Sequence, residues 1–189
     1  PIDSSNMNPE KWVKIACMIE DNYLNFDGFV VLHGSDTMSY SASALSFMFE
    51  NLAKPIIFTG SQLPIGDLRT DAKENLITAI QIASLHVKNK PVVQEVCLYF
   101  EYKLYRGNRT TKINAEHFKA FSSPNFPALA ESGVHLNINK QGLLPTSRNK
   151  KIIVHKQLNE QVMILKMFPG INETLLTSLL SIPNLKGIV

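Results

Sequence analysis

Three short apolar runs, separated by segments of helical length, constrain the fold of this chain most strongly. The runs are residues 28–32, 55–59 and 96–100, and each is a nearly unbroken apolar stretch. Continuous apolar character is typical of parallel strands that are covered on both faces. Between the runs, apolar residues recur at helical spacing near 41–52 and 71–86. This β-α-β-α-β pattern predicts an α/β fold, in which helices flank a parallel sheet with right-handed crossovers.

The rest of the chain predicts a division into two α/β units. Residues 1–135 form the first domain in this interpretation. Residues 136–159, with their Asn, Gly, Pro and basic residues, form a linker or hairpin, and 160–189 form the start of a second, smaller α/β domain. The second unit is indicated by an apolar run at 162–165 and by Asn172, a residue type that caps helices.

Composition and charge narrow the classes of partner. The formal net charge is only +3, and the densest basic cluster, Arg148–Lys151, lies in the predicted linker, so nucleic acid is not an expected partner. No apolar run approaches the roughly 18 residues of a membrane span, so no membrane partner is expected either. Cys17 and Cys97 fall in a predicted helix and a predicted strand, which favours reduced core residues of a cytoplasmic protein. The five histidines lack metal-ligand spacing, and we expect no metal or cofactor.

Polar residues follow each of the three predicted strands. Ser35 and Asp36 stand after the first, residues 59–62 after the second, and Lys112 in a polar stretch after the third. Because ligands in open α/β sheets bind outside the carboxyl ends of the strands, Ser35, Asp36 and Lys112 are predicted to meet there. A hydroxyl, a lysine and a carboxylate can together move a proton and hold a substrate ammonium. Two plainer alternatives stay open: Ser35 and Asp36 only cap the following helix, and residues 59–62 form a plain turn, which is favoured there over a site role.

Several segments resemble the bacterial-type L-asparaginases, and especially their type I (cytoplasmic) branch. His33–Met38 (HGSDTM) is similar to the family's second signature, usually HGTDTM. Leu104–Lys112 (LYRGNRTTK) resembles the type I segment that bears the catalytic lysine, and Asp3–Met7 (DSSNM) resembles the loop that binds the substrate carboxylate. Residues 42–52 and 59–64 also look like type I sequence. The resemblance extends over essentially the whole chain, with its motifs in the family's order.

The resemblance implies an asparaginase-like N-terminal domain that takes part in hydrolysing L-asparagine to L-aspartate and ammonia, with a hydroxyl nucleophile and no cofactor. Carried over residue by residue, Ser35, Asp36 and Lys112 would form the family's second catalytic triad. Asp36 would hold the substrate's α-ammonium group, and Ser4 its α-carboxylate. The residues implied in substrate binding are Asp3, Ser4, Ser5, Ser35 and Asp36. A homo-oligomer, either a dimer or a tetramer, is also implied.

The chain departs from the family pattern in two places. Ser35 stands where the second signature has threonine, so the hydroxyl is kept and the methyl is lost. The first signature, a Thr-Gly-Gly-Thr-like turn with the primary nucleophile and the mobile lid, is expected upstream of Pro1. The chain is accordingly expected to be part of a longer protein and not to contain a whole active site. Two alternatives remain: an asparaginase-like subunit of a tRNA-dependent amidotransferase, which the unpatterned charge disfavours, and an inactive truncated family member.

Overall fold

A computed structural model describes residues 2–145 and 150–189 of the chain. The helices α1 to α4 are Pro9–Asn22, Met38–Met48, Ala72–Ala83 and Glu173–Leu180. The strands β1 to β14 are Phe29–Leu32, Phe49–Glu50, Ile56–Thr59, His86–Val87, Lys90–Pro91, Val96–Phe100, Lys103–Arg106, Thr111–Lys112, Phe121–Ser122, Ala130–Ser132, Leu136–Ile138, Ile153–Val154, Val162–Met163 and Gly187–Ile188. Arg148 and Asn149 of the predicted basic cluster lie outside the described residues.

One mixed sheet of six strands, in the order β1-β3-β6-β7-β10-β11, forms the centre of the fold. β1, β3 and β6 run parallel, with Val31 opposite Phe58 and Phe58 opposite Leu98. These are the three strands predicted from the apolar runs, so the parallel sheet is confirmed. β7, β10 and β11 continue the sheet in antiparallel fashion, which the sequence pattern did not predict.

The turn between β6 and β7 explains why the antiparallel part was missed. Glu101 and Tyr102 link the two strands, with φ values of 44° and 64°. Consecutive positive φ values are typical of a tight hairpin turn, which usually contains Asn, Asp or Gly. Since none of these residue types stands at the two positions, the sequence lacks the usual hairpin signal there.

Both faces of β3 and β6 are buried, which accounts for their continuous apolar character, whereas β1 at the edge of the sheet is half-buried and its last residue, Leu32, is exposed. Phe58 and Leu98 pack on one side with residues of α1 and α2. Ile57 and Cys97, one position earlier in the same strands, pack on the other side with residues of α3 such as Ile82. Burying an aliphatic or aromatic side chain completely contributes about 1.5–3 kcal/mol. The hydrophobic effect on both faces therefore holds β3 and β6 at the centre of the sheet, and β1 pairs with β3 as far as Leu32 and Thr59.

α1 begins with a cap residue followed by proline. The Asn8 side chain accepts a hydrogen bond from the Lys11 amide, and Pro9 occupies the first helical position. A capping oxygen satisfies one of the free N–H groups of the first turn, and proline has no N–H that needs a partner. The helix start is thus decided by residues that are adjacent in the chain.

The described residues divide into two compact units, with the boundary between Lys156 and Gln157. The first unit contains the six-stranded sheet with α1, α2 and α3, and its residues 136–138 form the edge strand β11. In the second unit, β13 and β14 pair in parallel and α4 joins them. The Asn172 side chain caps α4 by accepting from the Leu175 amide. None of the helices described has the length and apolar character needed to cross a bilayer.

Candidate active site

The three predicted catalytic side chains lie in contact. Ser35 and Asp36 are in the turn that joins the carboxyl end of β1 to α2, and Lys112 is the last residue of β8. Lys112 Nζ donates to Ser35 Oγ at 2.9 Å and to Asp36 Oδ1 at 2.7 Å. The Lys112 side chain is 15% exposed, whereas that of Asp36 is 65% exposed. The structure therefore places a mostly buried ammonium group between a hydroxyl and a carboxylate that is open to solvent.

The donor and acceptor roles in this group follow from its chemistry. A lysine ammonium has three donor protons and no acceptor, so Ser35 Oγ and Asp36 Oδ1 both accept from Lys112. Hydrogen bonds from a charged donor are about twice as strong as bonds between neutral groups. The ammonium therefore polarises the Ser35 hydroxyl and stabilises negative charge that develops on its oxygen.

Neither Ser35 nor Asp36 caps α2. The N-cap residue is Thr37, and no side chain caps the helix there. The Thr37 hydroxyl instead donates to the main-chain oxygen of Ser4 at 2.7 Å. The capping alternative is therefore wrong, because Ser35 and Asp36 direct their side chains to Lys112 and not to the helix start.

The N-terminal segment packs against the same turn. Ser4 is buried, and a Cβ atom on Gly34 would lie 2.7 Å from both Cβ and Oγ of Ser4, so the close contact requires glycine. Asp3 Oδ1 accepts from the Ser5 amide and the Ser5 hydroxyl, each at 2.9 Å. These two bonds, first the amide and then the hydroxyl, lower the pKa of the Asp3 carboxyl. Of the residues implied in carboxylate binding, Ser4 thus lies beside the turn, while Asp3 and Ser5 are exposed at the surface.

His33 supports the turn from within and is neutral. Its Nδ1 lies 2.7 Å from the Gly34 carbonyl oxygen, and since a carbonyl only accepts, Nδ1 has the proton. His33 Nε2 therefore accepts a hydrogen bond from the Ser41 hydroxyl at 2.8 Å. The Ser41 oxygen in turn accepts from Trp12 Nε1 at 2.8 Å. Burial lowers the pKa of His33, and the bond to the Gly34 carbonyl opposes this shift. The imidazole therefore fixes the main chain one residue before Ser35.

Gln62 belongs to the site although the sequence pattern favoured a plain turn at this position. Its Oε1 accepts from the Ser35 hydroxyl at 3.0 Å. Its Nε2 donates to the main-chain oxygens of Ala115 and His117, each at 3.0 Å. Gln62 follows a predicted parallel strand, which is a sequence signal for a site residue. Residues 59–61 share this signal, so it does not single out Gln62.

Two cavities border these residues. One of about 400 Å³ is lined by Asp36, Tyr40, Thr111, Lys112, Ile113, Asn114 and Ala115. The other, of about 620 Å³, is lined by Ile2, Leu32, His33, Gly34, Thr59, Gly60, Ser61, Ile65, Ala72 and Leu76. Both volumes lie in the range of small-molecule sites. In the part of the chain that is described, no three His, Cys, Asp or Glu side chains are grouped so that they could hold a metal ion.

Comparison with known proteins decides the family. Residues 1–143 match the family model described as Asparaginase, N-terminal. The chain belongs to the asparaginase family. It is 46% identical over 182 residues to L-asparaginase 1 of Escherichia coli K12, a match that spans 96% of this chain and 52% of that protein. The crystal structure of L-asparaginase I from Vibrio cholerae agrees with a TM-score of 0.87 at 44% identity, over 96% of this chain and 54% of that one.

Other proteins that resemble this asparaginase-family chain have different names. It is 45% identical over 187 residues to the mouse 60 kDa lysophospholipase, a match that spans 99% of this chain and 32% of that protein. It is 35% identical over 173 residues to a subunit of the glutamyl-tRNA(Gln) amidotransferase of Methanosphaera stadtmanae, over 89% and 39% of the two chains. The chain therefore spans between about a third and about half of the curated relatives it matches.

The predicted resemblance is confirmed for this asparaginase-family chain, and so is its α/β fold. Relatives named asparaginase 1 or I match nearly its whole length, as the motifs of the type I branch predicted. Ser35, Asp36 and Lys112 lie together, Ser4 lies beside their turn, and Gln62 adds an amide that the motifs did not indicate.

Proposed function

We propose that the protein containing this chain is an L-asparaginase, an amidohydrolase that converts L-asparagine to L-aspartate and ammonia by hydroxyl-nucleophile catalysis. The observation that supports this most directly is the contact of Lys112 with both Ser35 and Asp36. Membership of the asparaginase family and the names of the E. coli and V. cholerae proteins support the same substrate.

Asp36 and the Asp3–Ser5 segment bind the amino-acid part of the substrate in this proposal. Asp36 accepts one hydrogen bond from Lys112 and is 65% exposed, and a carboxylate can accept several more. It therefore suits the positively charged α-ammonium group. The Ser4 hydroxyl suits the α-carboxylate, since hydroxyl groups donate to anionic oxygens. The Ser5 hydroxyl would join it by turning away from Asp3, to which it donates in this structure.

Lys112 and Ser35 handle the proton in this proposal. The ammonium polarises the Ser35 hydroxyl, whose oxygen exchanges a proton with the attacking group or with water. A positioned proton-transfer group accelerates a reaction by about 10²- to 10⁴-fold. The chemistry uses side chains and water, with no cofactor.

We also propose that the whole protein is cytoplasmic and forms a homodimer or homotetramer. In this proposal residues 1–135 are the body of the N-terminal domain, 136–159 a connecting segment whose strands β11 and β12 pair with β10 and β2 of that domain, and 160–189 the start of the C-terminal domain. The resemblance to the type I branch supports the assembly, and the free thiols of Cys17 and Cys97 suit a reducing compartment. Light scattering on the full-length protein tests the assembly, and a monomeric mass at working concentration would contradict it.

Three alternatives have weaker support. The amidotransferase subunit is 35% identical, against 46% for the E. coli asparaginase, and the net charge of +3 offers little to attract tRNA. An inactive family member is not expected to keep Lys112, Ser35 and Asp36 in hydrogen-bond contact. The mouse lysophospholipase matches over only 32% of its length, so its name does not specify what the shared segment does.

The test is ammonia release from L-asparagine by the full-length protein and two lysine variants. Lys112→Met is expected to lower kcat by about 10²- to 10⁴-fold, because the charged donor to Ser35 is lost. Lys103→Met is the matched control, because Lys103 is 45% exposed and its ion pair with Glu131, which is 60% exposed, lies at the surface. Both variants should keep the wild-type circular dichroism spectrum. Near-normal ammonia release by Lys112→Met would remove this lysine from the mechanism.

A further inference from the structure

The Ser35 hydroxyl has a donor on one side and an acceptor on the other. Lys112 Nζ lies 2.9 Å from Ser35 Oγ, and Gln62 Oε1 lies 3.0 Å from it. Since Lys112 can only donate, the hydroxyl oxygen accepts from Lys112 and the hydroxyl proton points to Gln62. The direction of this O–H bond thus depends on which end of the Gln62 amide faces it.

The Gln62 amide is held in one orientation. Both protons of Nε2 are donated, to the main-chain oxygens of Ala115 and His117 at 3.0 Å each. Rotating the amide by 180° would place its oxygen against two carbonyl oxygens and would give the Ser35 oxygen a second N–H donor beside Lys112 and no acceptor for its own proton. Only the observed orientation satisfies all three contacts.

The main chain of Gln62 is also fixed. Its amide N–H donates to the Asp71 carboxylate, with distances of 3.1 and 3.0 Å to the two oxygens. The same carboxylate accepts from the Leu63 amide at 3.2 Å and from Asn75 Nδ2 at 3.1 Å. Asp71 precedes α3, so the first turn of this helix anchors the residue. Gln62 therefore connects the loop after β1, the loop after β3 and residues 115–117, which follow Lys112.

We propose that Gln62 is a positioning residue of the hydrolase: its amide oxygen holds the Ser35 hydroxyl proton away from Lys112 and keeps the oxygen lone pair aimed at the ammonium group. This inference rests on the proposed function for its kinetic consequences. Gln62 acts through Ser35, so its loss should slow the chemical step and leave substrate binding by Asp36 and Ser4 largely unchanged.

The experiment compares Gln62→Leu with Gln94→Leu in the full-length protein. Gln94 is a suitable control because it is buried, whereas Gln62 is half-buried, and because Gln94 Nε2 donates one bond, to the Pro91 oxygen at 3.0 Å, away from the site. Gln62→Leu is expected to lower kcat for L-asparagine about 10- to 100-fold with KM within about 3-fold of wild type. Gln94→Leu should lower only the melting temperature. Equal kcat values for the two variants would overturn the inference.

Gln62→Glu adds a pH signature that loss of packing would not produce. A protonated glutamate can accept from Ser35 and donate to one carbonyl, whereas the ionised form has no donor and faces two carbonyl oxygens. The ratio of the variant's kcat to the wild-type kcat is therefore expected to fall as the pH rises from about 5 to about 8. A ratio that does not change over this range would contradict the proposed role.

A crystal structure of each leucine variant separates this inference from the proposed function. In Gln62→Leu, Ser35 should occupy more than one side-chain rotamer, because its proton has lost its acceptor. In Gln94→Leu, Ser35 should keep its single position next to Lys112. A single, unchanged Ser35 rotamer in Gln62→Leu would overturn the inference even if the wild-type protein released no ammonia, which by itself would refute only the proposed function.

Discussion

Ser35 stands where the family signature has threonine. Both of its hydrogen-bond partners bind the hydroxyl group, which serine and threonine share. Lys112 Nζ donates to the oxygen at 2.9 Å, and Gln62 Oε1 accepts the proton at 3.0 Å. Neither contact involves the methyl group that threonine would add. At the residue scale, the chemistry of the site therefore depends on one oxygen atom held between a cation and an amide.

Substituting Ser35 tests this dependence directly. Ser35→Ala is expected to lower ammonia release by about 10²-fold or more, because Lys112 loses the oxygen that it polarises. Ser35→Thr is expected to stay within about 10-fold of wild type, since the hydroxyl is kept. Both melting temperatures should lie close to that of wild type. An active Ser35→Ala protein whose only change is a stability loss of about 1 kcal/mol would show that the hydroxyl contributes a structural hydrogen bond and no catalysis.

The loops after β1 and β3 are packed main chain to main chain. The His33 amide donates to the Thr59 oxygen at 2.9 Å, and Asn75 Nδ2 donates to the Gly60 oxygen at 2.9 Å. A Cβ atom on Gly60 would lie 2.1 Å from the His33 oxygen and 2.8 Å from Met38 Cε. At the scale of the elements, the site is built on two strand ends that approach too closely for any side chain at residue 60.

Gly60→Ala is expected to destabilise the protein by about 1–3 kcal/mol, the usual cost of forcing a methyl group into a filled space. The added methyl would also push the His33 turn away from β3 and so displace Ser35, which should lower kcat. Gly66→Ala is the matched control, because nothing lies within 4 Å of its Cβ position, and we expect a change within about 0.5 kcal/mol. Urea unfolding measures the change in the free energy of unfolding for both variants. Equal midpoints for the two variants would show that the loops can separate without cost.

A buried ion pair joins distant parts of the first unit. Arg106 Nε donates to Glu95 Oε2 at 2.6 Å, and the two side chains are 13% and 3% exposed. The Glu95 carboxylate also accepts from the Leu144 amide at 2.9 Å, and Arg106 Nη2 donates to the Gly142 oxygen at 2.7 Å. The guanidinium lies over the Phe126 ring at 4.3 Å. At the scale of the whole molecule, this pair ties β6 and β7 to the segment after β11.

Arg106→Met is expected to destabilise the protein by about 3–5 kcal/mol, because it leaves the buried Glu95 carboxylate without its cation. Lys103→Met, which removes the exposed pair with Glu131, should cost no more than about 1 kcal/mol. The free energies come from chemical denaturation of the full-length protein. A loss for Arg106→Met as small as that for Lys103→Met would mean that Glu95 finds a new donor or is protonated.

Short-range sequence patterns predicted several elements and site residues of this protein. β3 and β6 could be predicted because their two buried faces require unbroken apolar runs, and the start of α1 because Asn8 and Pro9 act on their own helix. Ser35 and Asp36 could be singled out because they follow a parallel strand at its carboxyl end. Lys112 was predicted to follow the third parallel strand, but it comes after the antiparallel strand β7, so its contact with Ser35 depends on the tertiary path of the chain. The sequence by itself thus decided which elements form and which chemical groups are present.

Only the tertiary structure decided how these groups meet. The contact of Ser35 with Lys112 joins positions 77 apart, and its contact with Gln62 joins positions 27 apart. The hairpin at Glu101 and Tyr102, which starts the antiparallel half of the sheet, has no local signal because neither residue type favours positive φ. A hydrogen bond requires segments that are far apart in the chain to be placed to within tenths of an ångström. Residue patterns report only the conformations that neighbouring residues prefer.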